Sequence, residues 1–527
     1  MSKNIVLCSD GTGQAGGQGF VSNVWRVFKA VDRHKAGDEQ VAFHVDGVGT
    51  EKNKYMRGIG GAFGWGLSED IRLLYAALVR SYDADDQIYL FGFSRGAFTV
   101  RSLAGMIDDI GILDGSQFQS DDEINKAVEL AYTAYRRVKK NEAKSRKKIE
   151  ELVELYRFHN GRKIKFVGVW DTVDAVGVPI DELRAIIYKV ATIWRGPHEA
   201  ELNASIENAY HAISIDDERH TFHPMVWNEA AFAQVRKEAG LSEGKVEQVW
   251  FSGVHSNVGG GYPKDSLAFI PLDWMMKRAH ECGLQFDSAK WKSFGTANYS
   301  GNGGEYQTQA DRNGRIYDSR GGAAVYYRYK PREIADLWRK ENSSGLPKIH
   351  ESALMRIESG YTGYAPTAFP ATFEFVPTWK SDIESVGAST AGKEQVGQGP
   401  DLSEARYWIC WRRLLYFGFL TWTLLFLFGG IILDNMSDDP CGGYGLCASL
   451  LSVLKGVLPD FTHGWLDSYA ANWAVLAAFI TILAVMGGCR RWFKSKTDNA
   501  ADKAWKKIGI KRLKSESSGD AGQGTSS

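Results

Sequence analysis

QIYLFGFSRGAFTVRSLAG, residues 87–105, decides how the rest of the chain is read. Gln87 to Phe91 is a short apolar run with β-favouring Ile88 and Tyr89. Gly92-Phe93-Ser94-Arg95-Gly96 follows as a nucleophile-elbow pattern, and helix formers come after it. Ser94 is placed at the apex of a sharp strand-to-helix turn, where flanking glycines keep side chains off its hydroxyl and the first amides of the helix favour developing negative charge. Read alone, five residues of this kind also fit a glycine-bounded turn that merely packs closely. The context decides between the two: β-type residues before, a helix after, and an Asp and a His further on in that order.

Both partners are found after apolar runs. Lys163 to Trp170 (KIKFVGVW) reads as a strand with Asp171 directly behind it, and catalytic groups of an open parallel sheet gather beyond the carboxyl ends of its strands. Asp171 is the favoured acid, with Asp174 as its rival and Asp216 and Asp217 as outsiders. Val246 to Phe251 is another strand and runs into Ser252-Gly253-Val254-His255-Ser256-Asn257-Val258-Gly259-Gly260-Gly261. A histidine on a loop beyond a strand, next to glycines that allow close backbone approach, suits a general base, so His255 is the candidate.

Around these lie the other elements. Asn4 to Ser9 opens the chain as a strand ending in Asp10-Gly11-Thr12-Gly13. A helix capped by Asn23 runs to Val31, Gln40 to Val45 makes a second strand, and Ser68 to Ser81 another helix. The glycine-rich loop Arg57 to Gly66 lacks the Lys-Ser/Thr of a phosphate-binding loop and reads as a flexible rim. Residues 118–157 are charged and helical, with Val128, Leu130, Ala131, Tyr135 and Val138 on one packed face. The basic run Arg136 to Lys148 is read as a solvated surface, with anionic lipid headgroups as the functional alternative. Residues 181–235 read as helices and irregular structure inserted before the last strand. His198, His211, His220 and His223 fall there without the carboxylate or cysteine spacing of a metal site. Leu267 to Cys282 closes the unit as a helix. Residues 295–330 form an appendage rich in Gly, Asn and Tyr, and 376–403 lack periodicity and read as a linker.

Lys plus Arg and Asp plus Glu are 63 each among 527 residues, so no global charge points to nucleic acid. Residues 1–20 lack a charged start followed by an apolar core, which predicts no secretory signal. Leu414 to Leu433 and Ser468 to Cys489 are uncharged runs. At about 1.5 Å per helical residue each reaches across a hydrocarbon core of about 30 Å. Trp408, Trp411, Trp473 and Trp492 stand near their ends as interface anchors. Arg406, Arg412 and Arg413 precede the first run and Arg490, Arg491, Lys494 and Lys496 follow the second, while the loop between holds Lys455. That asymmetry places both termini in the cytoplasm and the loop outside, where Cys441 and Cys447 are spaced for a small disulfide. Trp505 to Lys514 reads as a basic segment lying on the inner leaflet, and the residues from Ser515 as disordered.

Six stretches taken together resemble a known family: SDGTGQ (9–14), DGVGT (46–50), GFSRGAF (92–98), GVWDTVDAVG (168–177), IDDERHTFHPMVW (215–227) and VWFSGVHSNVGGGYP (249–263). The chain resembles the α/β-hydrolase domain family that includes the catalytic domains of type VI secretion phospholipase effectors. DSRGGAAVYYRYKPR (318–332) and YAP (364–366) resemble that family's membrane-linked members. The resemblance implies a triad that maps onto Ser94, Asp171 and His255, and an oxyanion site formed by amides near Gly11 and Thr12 with that of Arg95. The sequence departs from the family in having Asn257 where an Asp often follows the His-Ser pair. It also departs in carrying a two-span hairpin, which predicts a domain kept on the cytoplasmic side of a bacterial inner membrane.

The expectations are then an α/β fold, α/β-hydrolase-like, with a mostly parallel sheet, helical insertions and a C-terminal two-helix transmembrane hairpin. The divisions are a catalytic domain with appendage over 1–375, a linker over 376–405, the hairpin over 406–493, and a basic, then disordered, cytoplasmic tail over 494–527. Membrane lipid and an acyl ester are the expected partners, phospholipid first, and the chemistry asks for no metal or organic cofactor. A hydrolase of soluble esters or thioesters, and an inactive scaffold on the same fold, are the alternatives.

Overall fold

The structure is a computed structural model that describes residues 2–11, 20–33, 39–46, 66–138, 142–159, 163–174, 201–293, 310–360, 363–377, 396–432, 441, 445–457 and 463–508. The chain divides into two units. The first takes residues 1–327, 331–401 and the end from Trp505; the second takes 402–504 with 328–330.

The first unit is organised by nine strands, β1 (Asn4–Ser9), β2 (Gln40–Val45), β3 (Gln87–Phe93), β4 (Ile164–Trp170), β5 (Asn208–Ser214), β6 (Lys245–Phe251), β7 (Lys348–His350), β8 (Thr372–Val376) and β9 (Val396–Gln398). They form one sheet in the order β2-β1-β3-β4-β5-β6-β7-β8-β9. Every pairing is parallel except β8 with β9. Central strands of a parallel sheet are covered on both faces, so they need continuous apolar runs rather than alternation. Ile5, Val6, Leu7 and Cys8 of β1 and Ile88, Leu90 and Phe91 of β3 are accordingly fully buried.

Helices cover the two faces. On one lie α2 (Leu67–Ser81), α3 (Arg95–Ile110) and α4 (Asp121–Val138), followed by α5 (Glu142–Leu155). Leu67, Ile71, Leu74 and Leu78, three and four residues apart on α2, put one stripe into this core. On the other face lie α1 (Asn23–Ala30) and, later in the chain, α8 (Phe269–Glu281). Between them in sequence come α6 (Glu229–Glu238) and α7 (His255–Gly259), and α9 (Ser288–Ser293), α10 (Ile334–Glu341) and α11 (Glu351–Ser359) follow.

Several expectations are corrected here. Residues 181–235 contain a core strand, since β5 sits between β4 and β6. Beyond the appendage, β7 and β8 join the same sheet, and the stretch read as a linker adds β9, so VEQVWF is not the last strand. Ser22, rather than Asn23, caps α1 by accepting from the Trp25 amide at 3.1 Å, while Asn23 is buried and donates to the carbonyls of Val258 and Ala268. Leu130, assigned to the packed face of α4, is exposed. The loop over 57–65 lies outside the described residues, as does His198.

The second unit holds α12 (Ser403–Ile432), α13 (Gly445–Val457), α14 (His463–Ala471) and α15, which spans Trp473–Ile508 and ends in the first unit. Trp408 meets Trp492, Trp411 stacks on Phe493, and the Trp422 indole donates to the Phe479 carbonyl, so α12 and α15 run antiparallel. Among the described residues α15 is the one helix long and apolar enough, by length and composition, to cross a membrane. The uncharged run expected as a single span from Ser468 is broken at Asn472, between α14 and α15. Cys441 and Cys447 are bonded, with 5.6 Å between their Cα atoms. Trp505, expected on a leaflet, is buried in the first unit, where its indole donates to Pro366 and its ring meets Phe369.

Candidate active site

The strand order reverses at β1, with β2 on one side and β3 on the other. In open α/β sheets the crevice at such a reversal, beyond the carboxyl ends of the strands, is where ligands bind. Asp10 and Gly11 leave β1 there, and Ser94 leaves β3 beside them: a Cβ built on Gly11 would stand 3.3 Å from the Cβ of Ser94.

Ser94 itself has φ 58°, a left-handed conformation unfavourable for a residue with a side chain. The turn tightens enough to hold it because Gly92 and Gly96 lack side chains. A Cβ on Gly92 would lie 2.5 Å from the Gly96 carbonyl oxygen, and one on Gly96 would lie 2.2 Å from that of Ser9. Immediately after Ser94, α3 begins at Arg95.

β4 ends at Trp170 and delivers Asp171, also left-handed at φ 42°; β6 ends at Phe251 and delivers His255 at the start of α7. These three side chains converge. His255 Nε2 lies 2.7 Å from Ser94 Oγ, and His255 Nδ1 lies 2.6 Å from Asp171 Oδ2. Phe93 and Phe222 flank the imidazole, with ring centroids 4.7 and 5.0 Å away. Burial pushes Asp171 toward protonation, but the Arg332 guanidinium and hydrogen bonds from His255 and Arg332 outweigh it, holding the carboxyl well below its usual range. An ionised carboxylate only accepts, so Nδ1 carries the proton and Nε2 is left to accept from the serine hydroxyl. Burial also lowers the His255 pKa, and the bond to Asp171 opposes that, so the imidazole is neutral at pH 7.

The rival acids take other places. Asp217 Oδ2 accepts from the His255 backbone amide at 3.2 Å and pairs with Arg219 at 2.7 Å. Burial raises the Asp217 pKa, but the Arg219 pair prevails and brings it to about 2. Asp216 Oδ2 accepts from the Gly253 amide and the Tyr364 hydroxyl, and burial pushes its carboxyl up to about 6. It is Asp171, not Asp174, that meets the imidazole.

Of the residues expected at an oxyanion, Arg95 stands at the first position of α3, next to Ser94. The Gly11 amide is engaged elsewhere, donating to Asp10 Oδ1 at 2.8 Å, and Thr12 lies outside the described residues. Asn257 has a local role. Its Oδ1 accepts from the Val254 amide at 3.2 Å, closing the first turn of α7, and its Nδ2 donates to Arg315. His211 is buried in β5 and accepts from the Thr172 amide, while His220 and His223 pack edge to face.

Arg332 was not foreseen. Its side chain is wholly buried, with Nη1 2.6 Å from Asp171 Oδ1 and Nη2 2.8 Å from Asp171 Oδ2. The same head donates to the Ser214 carbonyl and hydroxyl and to the Phe222 carbonyl. A cavity of about 250 Å³ lined by Asp108, Lys163, Ser205, Glu207 and Arg236 lies at the amino ends of β4 and β5, opposite the end from which Ser94 emerges, and is no part of this site.

Serine, imidazole and carboxylate thus stand in line beyond the strand ends of a parallel α/β sheet, an arrangement chemically able to activate a hydroxyl. The chain belongs to the type VI secretion system phospholipase effector Tle1-like catalytic domain family, whose model matches residues 3–278. It is 26% identical over 238 residues to the uncharacterized protein YEL023C of Saccharomyces cerevisiae, covering 42% of this chain and 32% of that one. The chain thus spans about a third of the length of this relative. Two solved structures are similar at 16% and 15% identity, each with a TM-score of 0.30. One is an uncharacterized protein from Pseudomonas aeruginosa (55% of this chain, 47% of that one). The other is a Tle1 effector bound to the VgrG spike of the type VI secretion system (50% and 51%).

Proposed function

We propose that this chain is a membrane-anchored serine hydrolase that cleaves carboxylic esters of phospholipids or other acyl lipids through an acyl-enzyme on Ser94. The observation that carries the reading is the line from Ser94 Oγ through His255 to Asp171, with links of 2.7 and 2.6 Å. His255 Nε2 takes the Ser94 proton as Oγ attacks the ester carbonyl, and Asp171 stabilises the imidazolium that forms. His255 then returns the proton to the leaving alkoxide, and water, deprotonated by the same imidazole, releases the acid. The Arg95 amide and amides of the loop after β1 would hold the oxyanion, each donor worth about 3 kcal/mol of barrier.

The choice of lipid rests on the family, whose effectors are phospholipases, and on the anchor. The divisions proposed are a catalytic unit that reaches residue 401 and takes in β9 and Trp505, and two spans within 402–504. Exposed Leu414, Leu425, Phe428, Ile480 and Val485 give α12 and α15 faces suited to acyl chains. Arginines and lysines flank the outer ends of the pair in sequence, whereas Lys455 between them is paired with Asp467 at 2.6 Å. That charge pattern and the Cys441–Cys447 bond fit a loop in an oxidising compartment with both termini in the cytoplasm, as at a bacterial inner membrane.

Lipid mass spectrometry after incubating phospholipid liposomes with the full chain and with Ser94→Ala tests the activity. Release of fatty acid and lysolipid by the native chain alone is the expected result. Equal release by both, or by neither while the chain is folded, overturns the proposal.

A further inference from the structure

We propose that Arg332 is a positioning residue of this site, clamping both oxygens of Asp171 so that Oδ2 faces His255 Nδ1 and sharing the carboxylate's charge so that the imidazole remains a neutral base. The inference rests on the reading of Ser94 as nucleophile, and it extends the working site beyond residue 278, where the family match ends.

The geometry is specific to a guanidinium. Two parallel N–H groups meet the two carboxylate oxygens at 2.6 and 2.8 Å, and an ammonium cannot reproduce that fork. Both Nη groups have further acceptors, while Nε has no hydrogen-bond partner among the described residues. Nη1 reaches the Ser214 carbonyl at 2.7 Å and the Ser214 hydroxyl at 2.6 Å, and Nη2 reaches the Phe222 carbonyl. Ser214 ends β5 and its amide also donates to Asp171 Oδ1 at 2.9 Å. Arg332 therefore ties the ends of β4 and β5 to the Phe222 turn, whose ring lies against His255. Neither partner is exposed to water, so no solvent substitutes for a lost contact.

Charge gives the second part. Around His255 the charged groups are Asp171 behind β4 and Asp217 and Arg219 behind β5. Around Asp171 they are Arg332 and His255, with the neutral His211 ring nearby. Asp171 and Asp217 favour an imidazolium, while Arg219 opposes it directly and Arg332 opposes it by neutralising Asp171. Burial is the largest influence on His255 and acts in the same direction as the two arginines. Removing the Arg332 charge leaves Asp171 to pull on His255 alone. The base then holds its proton to higher pH, and the acid side of the rate profile moves upward.

The test uses the full chain in detergent with p-nitrophenyl butyrate as substrate, comparing native protein, Arg332→Met and Arg332→Lys, with melting followed in parallel. Arg332→Met is expected to lose kcat by about 100-fold, the scale of a misplaced catalytic group, with KM within about twofold. Its kcat/KM acid limb is expected to rise by about one pH unit or more. Arg332→Lys, which keeps the charge and loses the fork, is expected to lose kcat while its acid limb stays near the native position. Native kcat and a native profile in a folded Arg332→Met or Arg332→Lys overturn the inference. So does loss of activity only in proportion to loss of folded protein, and so does failure of both variants to fold, which makes Arg332 a structural clamp. Labelling of native Ser94 by a fluorophosphonate separates the outcomes. If the folded native chain takes no label, the nucleophile reading itself has failed. If it labels and the Arg332 variants label at the same rate, the inference about Arg332 alone has failed.

Discussion

Replacing Asp171 with Asn is expected to cost both folding stability and turnover. The carboxylate is fully buried and accepts from five donors: His255 Nδ1 at 2.6 Å, Arg332 at 2.6 and 2.8 Å, the Ser214 amide at 2.9 Å and the Ser214 hydroxyl at 3.3 Å. An amide of the same shape has a single acceptor oxygen, and its NH2 must face a donor. The wholly buried Arg332 charge then loses its counterion, which in a protein interior costs about 3–5 kcal/mol. Turnover falls separately, by about 10⁴, because the amide no longer fixes the proton on Nδ1. The pH dependence follows from the sign of the shift. The Asp171 pKa is depressed in the folded protein, so its contribution is complete above the unfolded value of about 4 and fades as pH falls toward the folded value. The stability gap between native and Asp171→Asn should therefore be full at pH 7 and close progressively below about pH 4. Urea denaturation followed by the fluorescence of buried Trp170, Trp227 and Trp250 measures it. A variant within about 0.5 kcal/mol of native at pH 7 would refute the buried ion-pair argument.

His255→Ala is expected to abolish ester turnover while destabilising far less than Asp171→Asn; equal destabilisation of the two would remove the distinction drawn between base and buried anchor. Gly96→Ala puts a Cβ 2.2 Å from the Ser9 carbonyl oxygen and 2.4 Å from that of Asp10, both backbone atoms, so a loss of about 1–3 kcal/mol with a displaced, slower Ser94 is expected. Native melting and activity in that variant would show that the elbow has room. Burial, helped by Glu69 and opposed by Arg95, pushes Asp70 up to about 7, and its Oδ2 has no hydrogen-bond partner among the described residues. A raised carboxyl favours the folded state below its unfolded pKa, so stability should fall as pH rises from about 4 to 7. Asp70→Asn should flatten that slope in denaturation series across pH, and an unchanged slope counts against the assignment. Protease added to sealed inner-membrane vesicles of cytoplasmic-side-out orientation should degrade the catalytic unit and spare the Cys441–Cys447 loop; the reverse pattern inverts the proposed topology.

The three side chains of the site were legible in the sequence because each follows directly on an apolar strand: Ser94 on β3, Asp171 on β4, His255 close behind β6. Their order along the chain and their distance from strand ends are local properties. β5 was missed because NAYHAIS places a polar Asn and a histidine in a strand, inside a segment that reads as helices and irregular structure. In the structure His211 Nε2 accepts from the Thr172 amide just behind the neighbouring β4, a bond that no single-strand pattern shows. β7 and β9 have three residues each, too few to register a period, and with β8 between them they extend the sheet from the β6 edge. Arg332 left no local signal either. Its partner is 161 residues away, and within DSRGGAAVYYRYKPR it is one arginine among three. The break at Asn472 was hidden in an uncharged run, since hydropathy does not report where a helix ends.

Mapping the adduct formed by a fluorophosphonate on the intact, folded chain tests the central claim most directly. The account predicts a single modified residue, Ser94, with labelling lost in His255→Ala. A folded chain that takes no label, or takes it at another serine while Ser94 stays untouched, would contradict it.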